Sequence, residues 1–279
     1  MRKIMIEKLC REIRQKVFKI VCNNKAGHLA SSLSSVEILA TLYFGGILNY
    51  RADQPEWEER DRFVLSKGHA ALGFYITLAK AGYFDLNEVD TFCIAGTRYG
   101  GLPLREKVKG VEATTGSLGH GLSFAAGIAM YAQIYHKAFH VYTLIGDGES
   151  QEGSVWEAAM FVAQNQLTNL VIIVDNNKIQ ATGRCEDIVG VEPMNKKWEA
   201  FGFEVLEVDG HDVTALQEAL DISELRLEKP RVVIAHTIKG KGLSFVENQS
   251  DWHYKMPTRE QIEIGMRELN IPREVISEL

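Results

Sequence analysis

Two short apolar, β-rich runs, at residues 141–145 and 170–174, constrain this chain more than any other feature. A strand with one wet face alternates polar and apolar residues, whereas a strand that is apolar throughout must be covered on both faces. A helical pattern near 154–166 separates the two runs, and further strand candidates fall at 62–66, 203–208 and 231–236. Short buried strands alternating with helices predict an α/β fold, a doubly wound and mostly parallel sheet with helices on both faces. The 279 residues suit one large domain or two small ones. No Pro-rich or Ser-rich linker divides them, so one domain over 1–279, with peripheral N- and C-terminal helices, is expected.

The helices follow from period and punctuation. Ile6, Leu9, Ile13, Val17 and Ile20 recur at spacings of three and four, which predicts an amphipathic helix over 4–22, stopped by Asn23-Asn24 and Gly27. A second is expected over 34–48 with Ser34 as its N-cap. Others are expected over 70–82 and 120–135, and one or two more in the tail 256–279. Residues 95–119, rich in Gly, read as a long functional loop.

Composition excludes several roles. Lys and Arg number 31 against 37 Asp and Glu, a net charge of −6, so there is no basic footprint for nucleic acid or an anionic membrane. Cys10, Cys22, Cys93 and Cys185 form no C-x-x-C pair, which argues against a disulfide framework or a zinc site and for a reducing compartment. Charges interrupt the apolar residues of the N-terminus, unlike a signal peptide, and no apolar run approaches the ~20 residues of a membrane span. A cytoplasmic location is expected.

Gly146-Asp147-Gly148-Glu149 follows the first apolar run directly, and Asp175-Asn176-Asn177 follows the second. Asp147 and Asn177 are one strand–helix–strand unit apart. A right-handed crossover makes such strands parallel and puts both motifs at the same carboxyl edge, where open α/β sheets bind ligands. Either motif alone reads as an ordinary turn; the pairing and the preceding strands favour a site. A carboxylate and an amide oxygen are hard ligands, suited to Mg2+ or Ca2+ held with phosphate oxygens. Gly146 and Gly148 would let a phosphate approach the backbone, and the helix that follows adds its positive end. GDGESQEG lacks the third Gly of a dinucleotide fingerprint, and no P-loop occurs.

The spacing from GDG to this Asn resembles the thiamine diphosphate motif, and the surrounding segments narrow the resemblance to the transketolase family. NKAGHLASSLSSVEIL, FVLSKGHAALGFY, VEATTGSLGHGLS, GDGESQEGSVWEAAMFVAQNQLTNLVIIVDNNKIQATG and HTIKGKGLSFVENQSDWHYK carry it, across roughly 25–257. The chain resembles the N-terminal, diphosphate-binding half of a transketolase made as a separate subunit.

The resemblance implies roles. Asp147, Asn177 and the Ile179 carbonyl would bind the metal, with Gly146 and Gly148 near the diphosphate. His69 and Lys239 would reach the diphosphate, Gly116, Ser117 and Leu118 would line the cofactor, and His253 would lie between cofactor and sugar. His28 would bond the sugar at the reacting carbon. His28, His69 and His253 are thus the candidate catalytic residues, and all three lie in loop or Gly-flanked contexts. Ketol transfer moves protons near neutral pH, where His is the natural acid or base. Glu152 matches an acid at the family's subunit contact, or is a first-turn acid favourable with the helix dipole. His211 reads as a turn residue, and His136, His140 and His236 as structural. Met130, Tyr131, Phe139 and Phe161 read as core, the charged run 56–62 as a solvated turn, and Arg98, Arg105, Lys107 and Lys109 as solvated loop charges.

Three departures stand out. Leu102 replaces the family's usual His in G-H-P, a residue that contacts the donor sugar; a leucine side chain cannot hydrogen-bond, so either another group replaces it or the donor differs. His120 stands where many members have Gln, and Tyr254 where many have Gly. The family's catalytic glutamate lies in a pyrimidine-binding domain further along the chain. A partner subunit carrying that domain is therefore expected, in a heterotetramer that transfers a two-carbon ketol unit from a ketose phosphate to an aldose. The diphosphate-binding subunit of a 2-oxo acid dehydrogenase and a non-catalytic regulatory paralogue are the alternatives.

Overall fold

The computed structural model describes residues 2–223, 225 and 227–272. Five strands form one sheet: β1 (Arg62–Leu65), β2 (Val141–Gly146), β3 (Leu170–Asn176), β4 (Glu204–Asp209) and β5 (Arg231–His236), in the order β1-β2-β3-β5-β4. Every pairing is parallel. The expectation of a mostly parallel sheet thus holds for all described strands. β2 and β3 are buried at every residue, which is why both runs are apolar but for Thr143, whose hydroxyl donates to the Val64 carbonyl at 3.1 Å.

Ten α-helices accompany the sheet among the described residues: α1 (Arg2–Asn24), α2 (Leu29–Ser34), α3 (Val36–Phe44), α4 (Ala71–Lys80), α5 (Gly121–Ile134), α6 (Gly153–Gln164), α7 (Cys185–Ile188), α8 (Met194–Ala200), α9 (Val213–Leu220) and α10 (Arg259–Glu268). Side chains alternate across a strand, so each strand feeds two cores. Tyr142, Leu144, Val171 and Ile173 pack with α1 to α4 and α9. Val141, Ile145, Ile172 and Val174 pack with α5, α6 and α8 on the other face. The chain moves from β2 to β3 to β4 through α6 and α8 on one face, then steps back to β5 through α9 on the other. A right-handed crossover requires that change of face when the direction of travel reverses.

Two expectations are corrected here. The helix expected over 34–48 is two helices, because Ser35 between α2 and α3 has φ −98° and ψ 7° and the second helix ends before Gly46 at φ +84°. Ser34 is not a cap; its buried hydroxyl donates to Asp175 Oδ2 at 2.6 Å. The run 56–62 is not all solvated. Arg60 forks onto Glu112 at 2.9 and 2.8 Å, and Asp61 accepts the Asn49 and His140 backbone N–H groups at 2.8 and 2.7 Å. Buried backbone donors need such acceptors. Of the tail, α10 is formed with a capping box at Thr258 and Gln261; residues 273–279 lie outside the described residues. Among the described residues, no helix is long and apolar enough to cross a membrane.

Candidate active site

The loops after β1, β2, β3 and β5 meet at the carboxyl edge of the sheet. Gly146 pairs in register with Asp175, so Asp147 and Asn177 leave adjacent strands on the same side. Both line a cavity of about 430 Å3. It is also lined by His28, His69, Gly116, Leu118, Gly146, Gly148, Ile179, Lys239 and His253, so the sequence-predicted residues converge from seven separate stretches of the chain. Ser117 is exposed and outside this lining.

Asp147 is buried, and its two oxygens accept the backbone N–H groups of Gly148, at 2.7 Å, and Lys178. Burial and the nearby Asp175 push its carboxyl up to about 6, against those N–H groups. A carboxylate in that state gains from an added cation. Asn177 Oδ1 accepts Ile179 N–H at 3.1 Å, and its amide donates to Asp175 Oδ1 at 3.3 Å, which fixes which end of the amide is the oxygen. The Ile179 carbonyl accepts from Lys239 Nζ at 2.9 Å, and Lys239 contacts His253 Nδ1 at 3.2 Å.

Beneath these groups lie residues to which sequence reasoning assigns no role. Asp175, fully buried, accepts from Lys67, Ser34 and Thr237. Glu149 accepts from Ser66 and from Gly119 and Gly146 N–H at 2.9 Å each, and so joins the tips of β1 and β2 to the loop before α5. The signal was present: a charged residue at the tip of an apolar strand must find a buried partner. Nothing in the linear order says that Lys67, after β1, reaches Asp175 across the sheet edge.

Three imidazoles form the upper wall. Ring centroids of His28, His69 and His253 lie 5.7, 5.1 and 5.4 Å apart pairwise, and Tyr254 packs on His28 at 4.9 Å. Burial, with the charge of Lys239, lowers His28 and brings His253 down to about 3; burial and Lys67 hold His69 well below its usual value. All three are uncharged at neutral pH and can donate or accept. Lys239 itself is brought down to about 8 by burial and by Lys67. Lys239, depressed in this way, gains from an added anion.

The lining fits thiamine diphosphate with a divalent ion. Ser31 Oγ and Gln180 Nε2 are buried without a hydrogen-bond partner, and both residues line the cavity. Native structures leave few such groups unpaired, and a polar ligand in the cavity would pair both. A Cβ on Gly148 would lie 2.8 Å from Gln180 Cβ, and one on Gly116 2.5 Å from Leu102 Cδ1. Leu102 and Tyr254 line the mouth, whereas His120 is exposed just before α5. Glu152 is exposed at the start of α6.

His211 is no simple turn residue: it is held between Glu37 and the backbone of Ile238. Tyr131 and Phe161, expected in the core, are exposed on α5 and α6, and so are Phe124, Ile134, Tyr135 and Met160. The cysteines are free.

Fold and cavity together define a parallel α/β domain that presents hard oxygen ligands and a buried lysine, Lys239, at one sheet edge, an arrangement that suits a diphosphate with a divalent ion. The family model for the transketolase thiamine diphosphate binding domain matches residues 5–274, and the chain belongs to that family. It is 43% identical over 265 residues to an apulose-4-phosphate transketolase subunit from Actinobacillus succinogenes, covering 95% of each. It is 39% identical over 257 residues to a 6-deoxy-6-sulfo-D-fructose transketolase subunit from a Clostridium species, covering 92% of this chain and 93% of that one. Among solved structures, the transketolase of Campylobacter jejuni superposes with a TM-score of 0.89 at 29% identity, covering 99% of this chain and 45% of the other. The chain thus spans less than half of that single-chain enzyme and nearly all of the two subunits.

Proposed function

We propose that the chain is the diphosphate-binding subunit of a two-chain transketolase that moves a two-carbon ketol unit from a ketose donor to an aldose acceptor. The observation that carries this reading is the convergence of Asp147, Asn177, Lys239 and three uncharged histidines on one cavity. Thiamine diphosphate would supply the electron sink that lets a carbon–carbon bond beside a carbonyl break. Asp147, Asn177 and the Ile179 carbonyl would hold Mg2+ or Ca2+, and Lys239 and His69 would meet the diphosphate. His28 and His253 would hold or move protons at the sugar's carbonyl oxygen and hydroxyls, in a pocket whose burial strengthens each hydrogen bond.

The donor is read as a modified ketose. The Leu102 side chain at the mouth offers no hydrogen bond, and the two relatives above are named for apulose 4-phosphate and a sulfofructose. The partner is read as a chain carrying the pyrimidine-binding domain, two copies of each, in the cytoplasm. Relatives named as subunits support a partner, and the exposed aromatics of α5 and α6 offer it a surface. The same relatives, with the histidine wall, favour sugar chemistry over a 2-oxo acid dehydrogenase. The intact metal and diphosphate ligands weigh against a regulatory paralogue. Reconstitution tests the reading: with partner, thiamine diphosphate and magnesium, ketol transfer from branched or sulfonated ketoses is expected, and none from this chain alone. Activity of the single chain would refute the split site.

A further inference from the structure

Away from the cavity, three charged or titratable groups that the chemistry above does not use form one largely buried line. Arg14 on α1 forks onto Glu37 on α3 at 2.6 Å through both nitrogens. Glu37 Oε2 lies 2.9 Å from His211 Nδ1, and His211 Nε2 accepts the Ile238 backbone N–H at 2.8 Å. Because Nε2 accepts, the ring proton is on Nδ1 and points at Glu37, so the orientation of the imidazole is determined from both ends. Arg14 Nε also donates to the Lys241 carbonyl at 3.0 Å. The line therefore grips residues 238 and 241, on either side of Lys239.

Lys239 needs that grip. Its side chain is almost wholly buried, and it reaches Ile179 O and His253 from a segment that is neither helix nor strand. Gly240 N–H bonds Ala30 O at 3.1 Å and Asn248 N–H bonds Lys239 O at 3.0 Å, so the backbone of 239 and 240 is tied to α2 and to the following loop. Ile238 N–H is satisfied instead by a side chain from the β4–α9 loop. We propose that His211, oriented by Glu37 and Arg14, is a positioning residue that sets the β5 loop so that Lys239 is aimed at the diphosphate. The inference rests on the reading of the cavity as a thiamine diphosphate site.

The two ring nitrogens make separate predictions. In His211→Gln the amide oxygen can stand where Nε2 stands and accept Ile238 N–H. In His211→Asn the shorter amide can mimic Nδ1 toward Glu37 and cannot reach Ile238, and His211→Phe does neither. The readouts are the melting temperature of the chain with its partner, without ligand, and the Kd for thiamine diphosphate with magnesium by calorimetry. All three variants should melt lower. Gln should bind within about twofold of wild type, whereas Asn and Phe should lose about tenfold, the scale seen when a group that orients a ligand residue is removed. Unchanged affinity in all three, or a loss that follows the melting temperature rather than the Ile238 acceptor, overturns the proposal and leaves His211 as packing. A wild-type pair that fails to bind thiamine diphosphate overturns the reading of the cavity, and this inference with it.

Discussion

Asp147 and Asp175 sit on neighbouring strand tips, and the fold treats them differently. Asp175 receives the Lys67 ammonium and two hydroxyls and is held below its usual range, burial notwithstanding. Asp147 receives backbone N–H groups and is pushed up. One carboxylate is neutralised within the fold, and the other is the one we propose for an ion. Asp147→Ala should accordingly abolish the rise in melting temperature that thiamine diphosphate with magnesium gives the assembled enzyme; a retained rise, read by scanning calorimetry, would remove Asp147 from the metal site. Glu37 shows the same logic in acid. Burial raises its carboxyl, but the His211 bond and Arg14 outweigh burial and bring it down to about 2 from 4.5. A folded value below the unfolded one stabilises fully above 4.5 and is lost as pH falls toward 2. Glu37→Gln should cost about 3 kcal/mol at neutral pH and flatten the loss of stability between those pH values, which denaturant titrations at several pH values would show.

At the scale of elements, periodicity locates most helices and strands to within a few residues, because apolar spacing is a local property. It fails at 34–48. There Ser34 and Ser35 turn their hydroxyls back to carbonyls one turn earlier, at 3.2 and 3.4 Å, and Ser34 also bonds Asp175. Such side-chain bonds compete with the helix, and spacing of apolar residues does not report them. The start of α5 is likewise set by contact. A Cβ on Gly121 would lie 2.5 Å from the Ser66 Cα, backbone that cannot step aside. Gly121→Ala should therefore lower stability by about 1–3 kcal/mol and part the Gly119–Glu149 bond from the site. An unchanged urea midpoint would show that this approach is not tight.

For the molecule as a whole, the family match covers nearly the full chain while the Campylobacter jejuni transketolase runs more than twice as far, and several aromatics on α5 and α6 are exposed. Aromatic residues bury well, which is why Tyr131 and Phe161 are expected in the core, but whether a helix face meets the sheet or the outside is decided only once helices are packed. The amino-acid order by itself determined the parallel sheet, the edge that carries Asp147 and Asn177 and the loop histidines, since each of these follows from local spacing and from the handedness of a crossover. Only the tertiary structure decided that Lys67 neutralises Asp175, that Glu149 ties two strand tips together and that His211 grips the Lys239 loop. Lys67 and Asp175 are 108 residues apart, Ser66 and Glu149 83, and His211 and Ile238 27, and no pattern in a linear chain states which buried group will meet which across folded distance.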